Sequence, residues 1–299
     1  MAIPMYVTHQ KTPVPTKKPE PACPPRETLE ALTQTAPDVV AMLIEQHKLP
    51  LKIENGKLVD ALKGTDLYLN KFITENPDCI EMKQMVVKLA NCPDEVLITG
   101  ATGTGKEIIA RAMIGNRTGV FVAINCAGLP EHLVESELFG HVRGAFTGAD
   151  SQKQGLFARA SDGVMFLDEI GELPLGLQAK LLRAIQDKVI RRVGSNTEEL
   201  INCKFVCATH RDLKKMTVEG HFREDLYARI STFELHIPSL SSRPEDIVPL
   251  ILAQKNGQKF LDAFRREQCR IQDIDLTYNV RSIERLVKRF NVLGKIILP

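Results

Sequence analysis

The stretch Val96-Leu97-Ile98-Thr99-Gly100-Ala101-Thr102-Gly103-Thr104-Gly105-Lys106-Glu107-Ile108-Ile109-Ala110-Arg111-Ala112 reads as a strand, a glycine-rich turn and a helix. Its first four residues are aliphatic or β-branched, as a buried strand prefers. After them stands G-x-x-x-x-G-K, in the strand-to-helix setting where such a loop wraps phosphates. Gly100, Gly103 and Gly105 keep side chains off the turn, so the N–H groups around Ala101, Thr102 and Thr104 are free to converge on an anion. The helix N-terminus adds a favourable dipole, and Lys106 places a cation against the β- and γ-phosphates of a nucleotide. Glu107 stands where Ser or Thr ordinarily helps to hold magnesium. Taken alone, the same residues also describe a merely glycine-rich turn.

A second element weakens that bland reading. Val164-Met165-Phe166-Leu167 is an apolar run that ends in Asp168-Glu169. In a nucleotide hydrolase, an acid so placed organises Mg2+ (Asp168) and its neighbour orients the attacking water (Glu169). Further β-rich runs, Val120–Ile124 and Phe205–Ala208, alternate with helical stretches. That alternation predicts an α/β fold, a parallel sheet sandwiched by helices. After Pro244 the chain turns helical and basic. Residues 255–299 hold ten Lys or Arg against five Asp or Glu, and Ile283, Leu286, Val287 and Phe290 share one helix face. This predicts a small helical lid over 245–299 behind the α/β part at 78–244.

The rest of the chain carries less chemistry. Seven of the 17 prolines lie in the first 25 residues, among Lys11, Lys17 and Lys18, which reads as an extended tail over 1–27. Residues 28–77 read as a small appendage. Leu29, Leu32, Val39, Val40, Leu43 and Ile44 recur at helical spacing, and Asn55-Gly56 marks a hairpin turn between Leu51–Ile53 and Leu58–Val59. This appendage is too short for a phosphoacceptor receiver domain. The 299 residues carry a net charge of +2, seven cysteines without metal-ligand spacing, and no apolar run of membrane-spanning length. The expectation is a soluble, cytoplasmic protein with no membrane partner.

At Gly144-Ala145-Phe146-Thr147-Gly148-Ala149, preceded by Glu137-Leu138-Phe139-Gly140-His141, a family resemblance appears. The hexapeptide is similar to the activator loop of bacterial enhancer-binding proteins, AAA+ ATPases that switch on RNA polymerase carrying sigma-54. Ile124-Asn125-Cys126-Ala127, Phe166–Pro174, Gln178–Arg183 and Phe222–Tyr227 extend the match, which is dense over 78–250. Glu after the loop lysine is common in that family, so the resemblance accounts for Glu107 within the nucleotide site. It further implies ATP and Mg2+ as cofactors and a homo-oligomeric ring, expected to be a hexamer. By the same resemblance Asn125 is a switch that poses Glu169, and Arg223 and Arg229 reach a neighbouring subunit's γ-phosphate. Arg281 is the lid's sensor arginine, and Thr209-His210 occupies the first sensor position, where the family usually has Asn in place of His210. Gly144–Ala149 is the surface for sigma-54, with Phe146 at its tip.

Leu276-Thr277-Tyr278-Asn279-Val280-Arg281-Ser282-Ile283 departs from the family's Trp-Pro-Gly-Asn run, and 18 residues follow Arg281, too few for a helix-turn-helix. DNA contact is therefore expected to be weak or indirect. The expected function is an ATP-driven ring that remodels sigma-54 polymerase. A regulatory protein that occupies sigma-54, or forms mixed rings with a full-length activator, is the alternative. A remodeller of another target, such as a replication complex, is disfavoured by the hexapeptide.

Overall fold

The computed structural model describes residues 26–33, 35–46, 51–54, 57–60, 64–128 and 130–298. The proline-rich tail and the Asn55-Gly56 turn lie outside the described residues. The chain divides into two compact units, 1–62 and 63–299. In the first, helices α1 (Arg26–Thr33) and α2 (Pro37–Gln46) precede the antiparallel strands β1 (Leu51–Glu54) and β2 (Lys57–Asp60), paired from Leu51↔Asp60 to Glu54↔Lys57. Leu29 and Val40 are buried, whereas Val39, on the adjacent side of α2, is 46% exposed.

The second unit opens with α3 (Thr65–Leu69) and α4 (Pro77–Ala90). The sequence placed residues 64–77 with the appendage, but Leu69 and Phe72 are buried in the core of the larger unit. Thr65 Oγ1 also donates to the Ala112 carbonyl at 2.8 Å. Their apolar side chains decide where the boundary falls.

The chain then runs through β3 (Val96–Gly100), α5 (Lys106–Ala112), β4 (Phe121–Asn125), α6 (Glu131–Phe139), β5 (Gly140–His141), β6 (Lys153–Gln154), α7 (Leu156–Arg159) and β7 (Val164–Asp168). It continues through α8 (Leu175–Gln186), β8 (Val189–Arg191), β9 (Glu198–Leu200), β10 (Lys204–Thr209), α9 (Leu213–Val218), α10 (Glu224–Ile230) and β11 (Phe233–Ile237). Five of these strands form one parallel sheet in the order β11-β3-β10-β7-β4. Alternate strand residues feed two cores, as the pleat requires. Leu97, Ile124, Leu167 and Phe205 pack with α6, α8 and α10. Ile98, Phe166, Val206 and Ile237 pack with α4 and α5 on the other face. All six residues of β10 are buried, and Phe205–Ala208 within it reads as a continuous apolar run. β11 is the strand that the sequence reading lacks. It is an edge strand with Phe233, Glu234 and His236 exposed, so its apolar signal is diluted.

Helices α11 (Ile247–Leu252), α12 (Gly257–Arg266) and α13 (Val280–Leu293) close a third core around Phe260, Ile283, Leu286 and Val287. These helices fill the stretch expected to form the helical lid. The apolar face expected on α13 is buried as a stripe at helical spacing. Among the described residues no helix is long and apolar enough to cross a membrane.

Candidate functional site

In an open parallel sheet, ligands bind beyond the carboxyl ends of the strands. Gly100, Asn125, Asp168 and Thr209 are the last residues of β3, β4, β7 and β10, and Asn125 sits opposite Asp168 in the register. A cleft of 330 Å³ opens there, lined on one side by Thr102, Gly103, Gly105, Lys106 and Glu107, and on the other by Asn125, Asp168, Glu169 and Arg281. The structure thus brings residues from two strands, a loop and the lid to one place.

Two glycines in the loop are required by its geometry. Gly105 has φ 108°, and a Cβ on it would lie 3.0 Å from the Phe72 ring. At Gly103, φ 80°, a Cβ would lie 2.2 Å from the Tyr278 carbonyl oxygen. The lid approaches the loop this closely because Val280 N–H donates to Gly103 O at 3.1 Å and Asn279 Nδ2 donates to Thr102 O at 2.9 Å. A fully buried pair fixes the joint from below. Arg243 Nη1 lies 3.0 Å from Asp246 Oδ2, and its Nη2 donates to Thr104 O at 3.1 Å. Asp246 also accepts the Glu75 N–H and the Thr74 hydroxyl at 2.6 and 2.8 Å. Neither Arg243, Asp246 nor Asn279 was among the residues picked from the sequence. The only local signal was the Ser-Arg-Pro-Glu-Asp break between two apolar runs.

Lys106 is nearly buried, and its Nζ donates to the carbonyls of Gly100 and Ala101 at 2.8 and 3.2 Å. Burial pushes its pKa below that of an ordinary lysine, against the pull of the Glu169 and Asp168 carboxylates. Burial likewise raises the Asp168 carboxyl, and the Glu169 charge adds to the effect. The Cys126 thiol at the end of β4 is pushed up to about 12 by burial and by these two acids, so it is inert. Glu107 points its carboxylate at Arg111, which donates to Oε1 through Nε and Nη2 at 3.0 and 2.8 Å.

Glu169 has left-handed backbone angles, φ 52° and ψ 51°. The resemblance assigned its posing to Asn125, but Asn125 Oδ1 accepts the Ala127 N–H at 2.8 Å instead. The partner of Glu169 is His210, whose Nδ1 lies 2.6 Å from Oε2 and whose backbone N–H donates to the same oxygen at 3.2 Å. With the carboxylate ionised, Nδ1 carries the proton. The other oxygen, Oε1, lies 3.7 Å from Lys106 Nζ. Thr209 is buried and turns its hydroxyl to the Arg211 N–H at 3.0 Å. Arg223 and Arg229 do not line the cleft. Arg223 makes a two-pronged contact with Asp225 at 3.0 and 2.7 Å, and Arg229 Nη2 lies 3.6 Å from Glu95 Oε2.

The hexapeptide rises between β5 and β6, whose register is Gly140↔Gln154 and His141↔Lys153. Helix α6 lies between β4 and the β5 strand that leads into it. Gly144 N–H donates to Ala149 O at 2.9 Å and Ala149 N–H to Phe146 O at 3.0 Å, so the tip is a closed turn. Gly144, Phe146, Thr147 and Gly148 are exposed. Phe146 sets its ring edge-on to His141 at 5.0 Å and remains 39% exposed. Ala149, counted with the contact surface, is buried and closes the base of the turn. The β8–β9 hairpin braces this base, with Val193 bonded to Gly140 and Val142 at 2.9 and 3.1 Å.

Residues 72–236 match the model of the sigma-54 interaction domain. The chain belongs to the sigma-54 interaction domain family. It is 37% identical over 287 residues to the regulatory protein AtoC of Escherichia coli K12, which covers 89% of this chain and 62% of that protein. It is 43% identical over 273 residues to the transcriptional regulatory protein GlrR of the same strain, covering 87% and 61%. The crystal structure of NtrX from Brucella abortus superposes with a TM-score of 0.65 at 26% identity, over 89% of this chain and 58% of NtrX. NtrX has also been solved with ATP. This sigma-54 interaction domain has the α/β AAA+ fold, and the chain spans about three-fifths of the length of these relatives.

Proposed function

We propose that this chain is an ATP-hydrolysing ring protein that remodels sigma-54 RNA polymerase through the Gly144–Ala149 loop. The observation that carries the reading is the cleft into which the loop lysine, the two acids at the end of β7 and the lid arginine converge. The residues fit a magnesium nucleotide. Among the described residues no cluster of three metal-binding side chains exists, and magnesium needs only one or two carboxylates when phosphates complete its shell. Asp168 is the residue that would hold it, and Glu107, tied to Arg111, does not compete. Bound magnesium neutralises charge on the β- and γ-oxygens.

The chain's own residues do the remainder. Lys106 gives up the Gly100 and Ala101 carbonyls for phosphate oxygens. Glu169, drawn away from Lys106 and His210, accepts a hydrogen bond from the attacking water and holds it in line. Arg281 carries the state of the cleft into the lid, and α6 carries it from Asn125 to the loop. Arg223 and Arg229 complete the site of the next subunit. A second reading, a regulatory protein that occupies sigma-54 without productive hydrolysis, is favoured by the grip of His210 on Glu169. Purified protein on a sigma-54 promoter, with ATP as the only energy source, separates the two. Open complexes are expected. Their absence, with suppression of those made by a full-length activator, would establish the regulatory reading.

A further inference from the structure

Glu95, one residue before β3, is 1% exposed. A buried carboxylate is costly unless cations compensate it. Two do, from different elements. Lys188 Nζ donates to Oε1 at 3.2 Å, whereas Arg229 Nη2 stands 3.6 Å from Oε2. The second contact is beyond hydrogen-bond length, and both Glu95 Oε2 and Arg229 Nε are buried without a hydrogen-bond partner among the described residues. Charge alone therefore holds Arg229, and a better acceptor can draw it away. The side chain has a route out, being 40% exposed. Lys188 begins the connection into the β8–β9 hairpin and accepts the Ile201 N–H at 2.8 Å.

We propose that Glu95 stows Arg229 on its own chain before assembly and releases it when a neighbouring subunit's phosphates compete for the guanidinium. This rests on the assignment of Arg229 to a neighbour's γ-phosphate made above. While stowed, Arg229 opposes assembly, because contact with the phosphate must first break contact with Glu95. Lys188 acts against the stow by neutralising the same carboxylate. A purely structural ion pair makes the opposite prediction, since its removal would only weaken the protein and its activity.

The experiment is ATP hydrolysis by the full chain across a protein dilution series, with thermal melts as the control for folding. Glu95→Gln is expected to reach half-maximal specific activity at a concentration about fivefold lower, the factor expected for a partly exposed ion pair. Lys188→Met leaves Arg229 as the one cation within 4 Å of the Glu95 carboxylate among the described residues, and is expected to raise that concentration by a similar factor. Turnover at saturating protein is expected to stay close to wild type in both. A folded Glu95→Gln protein with an unchanged or higher half-maximal concentration would overturn the stow. If Glu95→Gln does not fold, Lys188→Met decides, and no upward shift overturns it. An inactive Arg229→Ala with an unshifted Glu95→Gln sinks the stow alone, whereas a fully active Arg229→Ala removes the Arg229 assignment beneath it.

Discussion

Glu169 holds a left-handed backbone that costs a non-glycine residue on the order of 1–3 kcal/mol, a strain that concentrates at functional sites. Its carboxylate is shared between His210 and Lys106. Glu169→Gln keeps the shape and one acceptor oxygen but loses the charge that positions water. It is expected to retain ATP affinity while losing at least about a hundredfold in turnover. Lys106→Ala is expected to lose nucleotide binding itself. Equilibrium binding beside steady-state rates tests both, and a Glu169→Gln enzyme at the wild-type rate would refute the role. Lys106, Asp168 and Glu169 were legible because each ends a continuous strand-and-loop signature. The His210–Glu169 contact was not, because it joins side chains across parallel strands. The short Asn125 side chain accepts the Ala127 N–H, as Asn side chains do in turns, and its part as a nucleotide-dependent switch for Glu169 stays a proposal.

The activator loop and the lid joint make different demands on their elements. Phe146 and Thr147 are exposed on a turn closed by its own backbone bonds, and neither lines the cleft. Phe146→Ala and Thr147→Ala are therefore expected to leave hydrolysis largely intact and abolish capture of sigma-54 with a nucleotide transition-state mimic. Undiminished capture by both would end the assignment. The lid joint is structural. Arg243→Ala leaves Asp246 buried with its charge uncompensated, a loss of about 3–5 kcal/mol. Denaturant unfolding should show that loss, and a change under 1 kcal/mol would mean the pair is dispensable. Four of the five sheet strands and the apolar stripe of α13 were legible as period and run. The joint was not. It depends on Thr74, Thr104, Arg243 and Asp246 meeting from distant parts of the chain, where no spacing rule applies.

Whether the working unit is one chain or several turns on Arg223 and Arg229. Both stand outside their own cleft, so either they serve a neighbour or they only make structural ion pairs within the chain. The lone chain gives each a partner: Asp225, whose carboxyl the Arg223 guanidinium holds below its usual range, and Glu95. As structural pairs, Arg223–Asp225 is exposed and worth about 0–1 kcal/mol, and losing Arg229 from the buried Glu95 would cost stability but leave the rate per folded chain unchanged. As arginines on a neighbour's γ-phosphate they are worth about a thousandfold or more in rate. The gap between those magnitudes makes the test decisive. Arg229→Ala alone is expected to be nearly inactive, and so is Lys106→Ala. Mixed, the two should recover part of the hydrolysis, because some interfaces then join an intact Lys106 on one chain to an intact Arg229 on the next. Specific activity of the wild type should also climb with protein concentration as such interfaces form. An Arg229→Ala protein that is fully active, with a rate per chain independent of dilution, would show that one chain completes its own site.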